Sequence, residues 1–166
     1  MFNKRTDYTP WSDYFMGIAV LSATRSKDPN TQVGACIVNS DNRIVGVGYN
    51  GFPSGCLDDQ LPWRRDGDWI DTKYPYVVHA EQNAIMNSYC KELYGCRLYV
   101  TLFPCHECCK LIIQSGIKYI TYLKENLSVE HDNSVEASKR MFKLVDVKYN
   151  KFKLKSDSLV EKLLNL

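Results

Sequence analysis

The chain has 166 residues, 45% hydrophobic and 24% charged, with 21 basic side chains against 19 acidic ones and a net charge of +2. That balance fits a globular chain with its own core; it excludes a disordered one and argues against a wrapper of polyanions. No apolar run approaches the roughly 18 residues of a membrane span, and residues 1–7 carry no apolar signal core.

Thr9-Pro10 predicts an N-cap followed by proline at the first helical position. Trp11, Phe15, Ile18, Ala19 and Ser22 then recur at helical spacing, so a first amphipathic helix should run to about residue 24. Residues 26–31 read as a polar loop. A buried strand is expected over 33–38, a turn at Asp41-Asn42, and a hairpin partner over 43–49. From 50 to 76 no period survives, and Gly51, Pro53, Gly55 and Pro62 interrupt the chain. A loop that long marks either function or a missed element. A second helix is expected over 79–89, with Ala80, Ala84, Ile85 and Tyr89 on one face. Then come a strand over 97–102, a helix over 105–115 closed by Gly116, and a strand over 118–123. A helix over 135–145, a short strand over 147–152 and a short amphipathic helix after Lys155 complete the order. This order predicts a single domain over 1–166, a three-layer α/β/α fold around a mixed five-stranded sheet. The hairpin should be antiparallel and the later strands parallel through right-handed crossovers.

Seven cysteines stand at 36, 56, 90, 96, 105, 108 and 109. An odd count, three of them within five residues, and no signal core predict a reducing compartment, taken as the cytoplasm. Cys36 in its apolar strand reads as core. Cys56, Cys90 and Cys96 read as core or half-exposed thiols, with Cys56 also open to a second metal.

Chemistry concentrates in His79-Ala80-Glu81 and Pro104-Cys105-His106-Glu107-Cys108. An imidazole and two thiolates suit zinc, which takes nitrogen and sulfur in tetrahedral geometry, and three protein ligands leave a fourth position for water. Cys105 and Cys108 lie three apart at a helix start, on one face, where the helix dipole favours thiolate. Taken alone they could equally be core thiols or a redox pair. Cys109 could also face the site, though it reads better as a packed thiol, and His106 and His131 read as surface residues. Glu81 is the non-ligand: a carboxylate able to take a proton from water and deliver it to a substrate. In a regular helix His79 and Glu81 would diverge, so the pair must sit at the helix entrance. Together the two halves match the zinc deaminase signature H-x-E…P-C-x-x-C.

Over residues 8 to 152 the chain resembles the deoxycytidylate (dCMP) deaminases, eukaryotic type, of the cytidine deaminase-like superfamily. The resemblance lies in Arg25-Ser26-Lys27-Asp28-Pro29-Asn30, Val33-Gly34-Ala35, Gly48-Tyr49-Asn50-Gly51, Leu61-Pro62-Trp63-Arg64-Arg65, His79-Ala80-Glu81-Gln82-Asn83-Ala84-Ile85 and Leu102-Phe103-Pro104-Cys105. It implies a cytidine deaminase-like fold and hydrolysis of dCMP to dUMP and ammonia, the dUMP feeding thymidylate synthesis. Zinc (Zn2+) would be held by His79, Cys105 and Cys108, with Glu81 shuttling protons. The Ala80 backbone would bond the pyrimidine carbonyl, and Asn50, otherwise a plain turn residue, the deoxyribose hydroxyl. The family is similar in regulation too, which implies a homohexamer activated by dCTP and inhibited by dTTP, with Mg2+ on the effector's phosphates. Arg25, Lys27 and Gly51 fall in effector-binding segments, although the two cations could simply close the first helix. Arg64 and Arg65 would meet substrate phosphate or a neighbouring subunit, or lie in a solvated loop. No stable nucleic acid partner and no membrane are implied.

Two other classes compete. A polynucleotide deaminase would use the same zinc site but needs an extended basic groove and aromatic platforms, which the near-neutral charge does not suggest. A non-catalytic zinc module would close the metal with a fourth protein ligand and leave Glu81 without a task.

Overall fold

The computed structural model describes residues 3–89, 92–125, 129–156 and 158–165. Helix α1 (Trp11–Ala23) leads into strands β1 (Gly34–Val38) and β2 (Ile44–Tyr49). The long segment that follows contains only a single 3-10 turn, Trp69–Asp71, before α2 (Ala80–Met86). Strand β3 (Arg97–Leu102), α3 (His106–Gln114), β4 (Tyr119–Lys124), α4 (Val129–Leu144), β5 (Lys148–Lys151) and α5 (Leu159–Leu164) complete the order.

The five strands form one mixed sheet, ordered β2-β1-β3-β4-β5. β1 runs antiparallel to both β2 and β3, whereas β4 is parallel to β3 and to β5. This is the expected α/β/α architecture. Side-chain alternation along the strands builds two separate cores. On one face Cys36 and Val38 of β1, Tyr99 of β3 and Leu123 of β4 meet Phe15, Met16 and Ala19 of α1 and Val160 of α5. On the other, Ala35, Ile37, Leu98, Val100 and Ile120 pack against Ala84 of α2, Cys109 and Ile112 of α3 and Phe142 of α4.

Several boundaries differ from expectation. Pro10, not Thr9, is the N-cap of α1, with extended backbone (ψ 150°) and no side-chain cap bond. Helix α4 starts at Val129, six residues before the expected 135. Helix α2 stops at Met86 rather than reaching 89. The residues after it leave the helix for the open edge of β2: Asn87 Nδ2 donates to Val47 O at 3.3 Å and Tyr89 Oη to Ile44 O at 3.0 Å. Tyr89 is consequently 73% exposed and contributes nothing to a buried helix face. An edge strand's unpaired carbonyls here outcompete helix continuation.

Candidate active site

Two strand-to-helix junctions build the site. His79 is the N-cap of α2 (φ −75°, ψ 159°) and Cys105 the N-cap of α3 (φ −70°, ψ 169°). The chain enters α2 from a bridge between Val78 and Gly51, with Val78 N donating to Gly51 O at 2.8 Å. Gln82 Oε1 accepts from the His79 N–H at 2.9 Å and fixes the cap. Extended backbone at His79 lets its imidazole turn away from the helix while Glu81, two residues on, points inward. This is the helix-entrance placement that the spacing demanded.

His79 Nδ1 lies 3.4 Å from Cys105 Sγ and 3.3 Å from Cys108 Sγ. All three donor atoms fall within 4.8 Å of one another, the one such group among the described residues. Crowded donors of this kind share protons unevenly. Cys105 is pulled down to about 3, first by a hydrogen bond from the Cys108 thiol and then by the imidazolium of His79. His79 is raised to about 9, mainly by its bond to Cys105, and Cys108 is pushed up because it donates to Cys105 from a buried position. One thiolate, one imidazolium and one thiol thus converge on a point that a divalent cation would satisfy by displacing the protons. The donor set and its convergence fit zinc.

Glu81 is 4% exposed, and burial raises its pKa despite the opposing charge of His79. A cavity opens over this group. Its floor is His79, Ala80, Glu81 and Cys105; Val33, Leu102, Phe103 and Val135 give it apolar walls. Asp28, Thr31, Asn50, Arg65 and Lys73 supply its polar lining.

The structure sorts the remaining sequence candidates. Asn50 is buried, with its Oδ1 accepting from Val33 N at 2.8 Å and its Nδ2 donating to Thr31 O at 2.9 Å. Arg65 lines the cavity and donates to Thr31 Oγ1 at 3.2 Å. Its neighbour Arg64 turns away, donating to Asp71 O at 2.7 Å. Arg25, Lys27 and Gly51 are not among the cavity residues. Arg25 sits 6.0 Å from the Tyr49 ring centre, Lys27 pairs with Asp58, and Ser26 Oγ donates to Asn50 O at 2.9 Å. Segment 25–27 therefore lies directly against 49–51. Cys36, Cys96 and Cys109 are buried and Cys56 is exposed. Cys109 donates to Ser138 O at 3.6 Å, outside the donor group, and His106 bonds Ser134 Oγ at 2.8 Å. Cys90 and the side chain of His131 lie outside the described residues.

The pairing of Asp28 with Lys73 is not legible in the sequence. They form a buried ion pair in the cavity lining, joined from positions 45 residues apart. Only the composition of the Arg25–Asn30 stretch hinted at Asp28, and a lysine in an unstructured loop gives no signal of burial.

An α/β/α sandwich that sets an imidazole, two thiols and a buried carboxyl at paired helix starts defines a hydrolytic deaminase. Residues 9–124 match the family model described as the cytidine and deoxycytidylate deaminase zinc-binding region. The human deoxycytidylate deaminase is 55% identical over 159 residues, covering 95% of this chain and 88% of the relative. A probable deoxycytidylate deaminase of Drosophila melanogaster is 53% identical, covering 90% and 75%. Among solved structures, the dCMP deaminase of cyanophage S-TIM5 in complex with dCMP and dUMP aligns with a TM-score of 0.66 at 26% identity, covering 90% of this chain and all of that one. The chain belongs to the deoxycytidylate deaminase family, and it is a deaminase of the hydrolase class.

Proposed function

We propose that this protein is a zinc-dependent enzyme that hydrolyses dCMP to dUMP and ammonia, raised in activity by dCTP and lowered by dTTP. One observation carries the catalytic part: His79, Cys105, Cys108 and buried Glu81 converge beneath a cavity whose rim offers Arg65 and Asn50. The relatives' names and the S-TIM5 complex point to the same substrate.

Zinc, held by His79, Cys105 and Cys108, would supply a Lewis-acidic position that lowers the pKa of water. Glu81 takes one proton from the attacking water and passes it to pyrimidine N3, then takes the second from the resulting C4 hydroxyl and passes it to the departing exocyclic amine, so that the C4–N4 bond gives way to a C4–O carbonyl and ammonia leaves. Its raised pKa suits that traffic, since a carboxyl that holds its proton more tightly can both accept and return it. Val33, Leu102, Phe103 and Val135 give the ring an apolar slot. The Ala80 N–H stands in the first turn of α2, where no intrahelical acceptor exists, and so serves the pyrimidine carbonyl. Asn50 Oδ1 spends one lone pair on Val33 and keeps a second for the deoxyribose hydroxyl. Arg65, rather than Arg64, takes the 5′-phosphate, because Arg64 is held by Asp71.

Regulation rests on the contact between 25–27 and 49–51. A nucleoside triphosphate carrying Mg2+ at Arg25, Lys27 and Gly51 would act on the residue next to Gly51, which is Asn50. We take residues 1–166 as one deaminase domain that assembles as a homohexamer in the cytoplasm. Trp69, Met86 and Tyr94 stand largely exposed and offer apolar surface to a second copy. The test is initial rate on subsaturating dCMP with Mg2+ present. Added dCTP should raise the rate and added dTTP lower it; rates unmoved by either would remove the regulatory part.

A further inference from the structure

The buried Asp28–Lys73 pair is absorbed by none of the chemistry above. Asp28 is 2% and Lys73 6% exposed, in the wall of the cavity. The Asp28 carboxylate is a hub. One oxygen accepts from the backbone N–H of Asn30 at 2.8 Å and of Thr31 at 3.2 Å. The other receives Lys73 Nζ and Asn50 Nδ2, the latter at 3.4 Å. Thr31, fixed by this hub, carries the hydroxyl that accepts from Arg65, and its carbonyl accepts from Asn50. The main chain of Lys73 closes the circuit, donating to Arg64 O at 3.0 Å next to Arg65.

Three segments far apart in sequence thus meet at one carboxylate: the loop after α1, the end of β2, and the long loop before α2. Stability alone is a weak reason for such a pair. Desolvating two charges offsets much of their attraction, and a well-packed neutral replacement is often as stable. Asp28, Thr31, Asn50, Arg65 and Lys73 all line the cavity. Lys73 is also poorly placed to hold a substrate anion itself, since its ammonium is already neutralised by Asp28.

We propose that Asp28 and Lys73 are positioning residues that, through Thr31 and the main-chain bond from Lys73 to Arg64, fix Arg65 in the geometry that selects a 5′-phosphorylated substrate. This rests on the reading of Arg65 as the phosphate contact. The test compares KM and kcat for dCMP and for deoxycytidine, which lacks the phosphate, using zinc-loaded full-length protein. Arg65→Gln should raise KM for dCMP about tenfold, the worth of one charge-assisted contact, and barely alter deoxycytidine. Asp28→Asn/Lys73→Met, which leaves no buried charge unpaired, should reproduce that selective loss with a much smaller change in kcat. Adding Arg65→Gln to it should give little further loss, because coupled residues are not additive. Thr31→Val, a change at a half-exposed residue that removes the Arg65 acceptor, should show the same pattern where the double variant folds poorly.

Losses that simply add, or that fall equally on dCMP and deoxycytidine alongside a lowered Tm, would make the pair merely structural and overturn the proposal while Arg65 keeps its role. An Arg65→Gln protein with unchanged KM for dCMP would overturn the phosphate reading, and the positioning proposal with it.

Discussion

Glu81 occupies a position that burial alone makes costly for a carboxylate, two residues from the His79 imidazole and hydrogen-bonded to the Cys108 thiol. Among the described residues it forms no salt bridge that would explain it as packing. Glu81→Gln keeps the shape and removes the titrating proton, so kcat should fall by about 10²–10⁴-fold. Zinc content, measured by metal analysis on the same sample, should stay at the wild-type value, separating proton transfer from ligation. At this scale the sequence was legible where residues act close together in the chain. His79 with Glu81, and Cys105 with Cys108, sit two and three positions apart, and that spacing carries their geometry. It was silent where residues act across the fold. Arg64 and Arg65 look equivalent in the chain, and only the fold tells them apart, bonding Arg64 to Asp71 and setting Arg65 in the cavity against Thr31. Nothing in the chain marks Lys73, and only the fold brings Asp28 to it.

Both halves of the site depend on where helices start, and α2 can start there only because β2 lets it approach. A Cβ built at Gly48 would stand 2.3 Å from Ala80 O and 2.3 Å from Ala84 N, backbone atoms with no rotamer to yield. Gly48→Ala should therefore push α2 off the sheet, costing about 1–3 kcal/mol. Thermal unfolding would show that loss, and weaker zinc retention should accompany it because the shift carries His79 with it. An unchanged Tm would mean that the helix approach is not the constraint. Element order and type were readable from apolar periodicity, with β3 expected over the same six residues the structure gives it. The ends were less so. The C-terminus of α2 is decided by the bonding needs of β2's open edge, and the start of α4 precedes its first clear apolar period. The long segment before α2 stays almost without regular structure and is held instead by side-chain ties such as Lys73 to Asp28.

For the whole molecule, the sheet keeps a packed core on each face and leaves the chemistry to one edge of one of them. Helices α2 and α3 start side by side there, and the walls and rim come from loops the sheet has brought together. The segment read as the effector site touches the same assembly from behind, through Ser26 and Asn50. Catalysis and regulation would then share one short structural path. No helix among the described residues is long and apolar enough to cross a membrane. A zinc-dependent dCMP deaminase must show a strict dependence of its activity on the metal. That dependence is read from the initial rate of dUMP formation from dCMP by protein stripped with a chelator, and by the same protein reloaded with one zinc per chain. Turnover should be negligible when stripped and restored when reloaded; zinc-loaded, folded protein that leaves dCMP untouched would rule out a zinc-dependent dCMP deaminase.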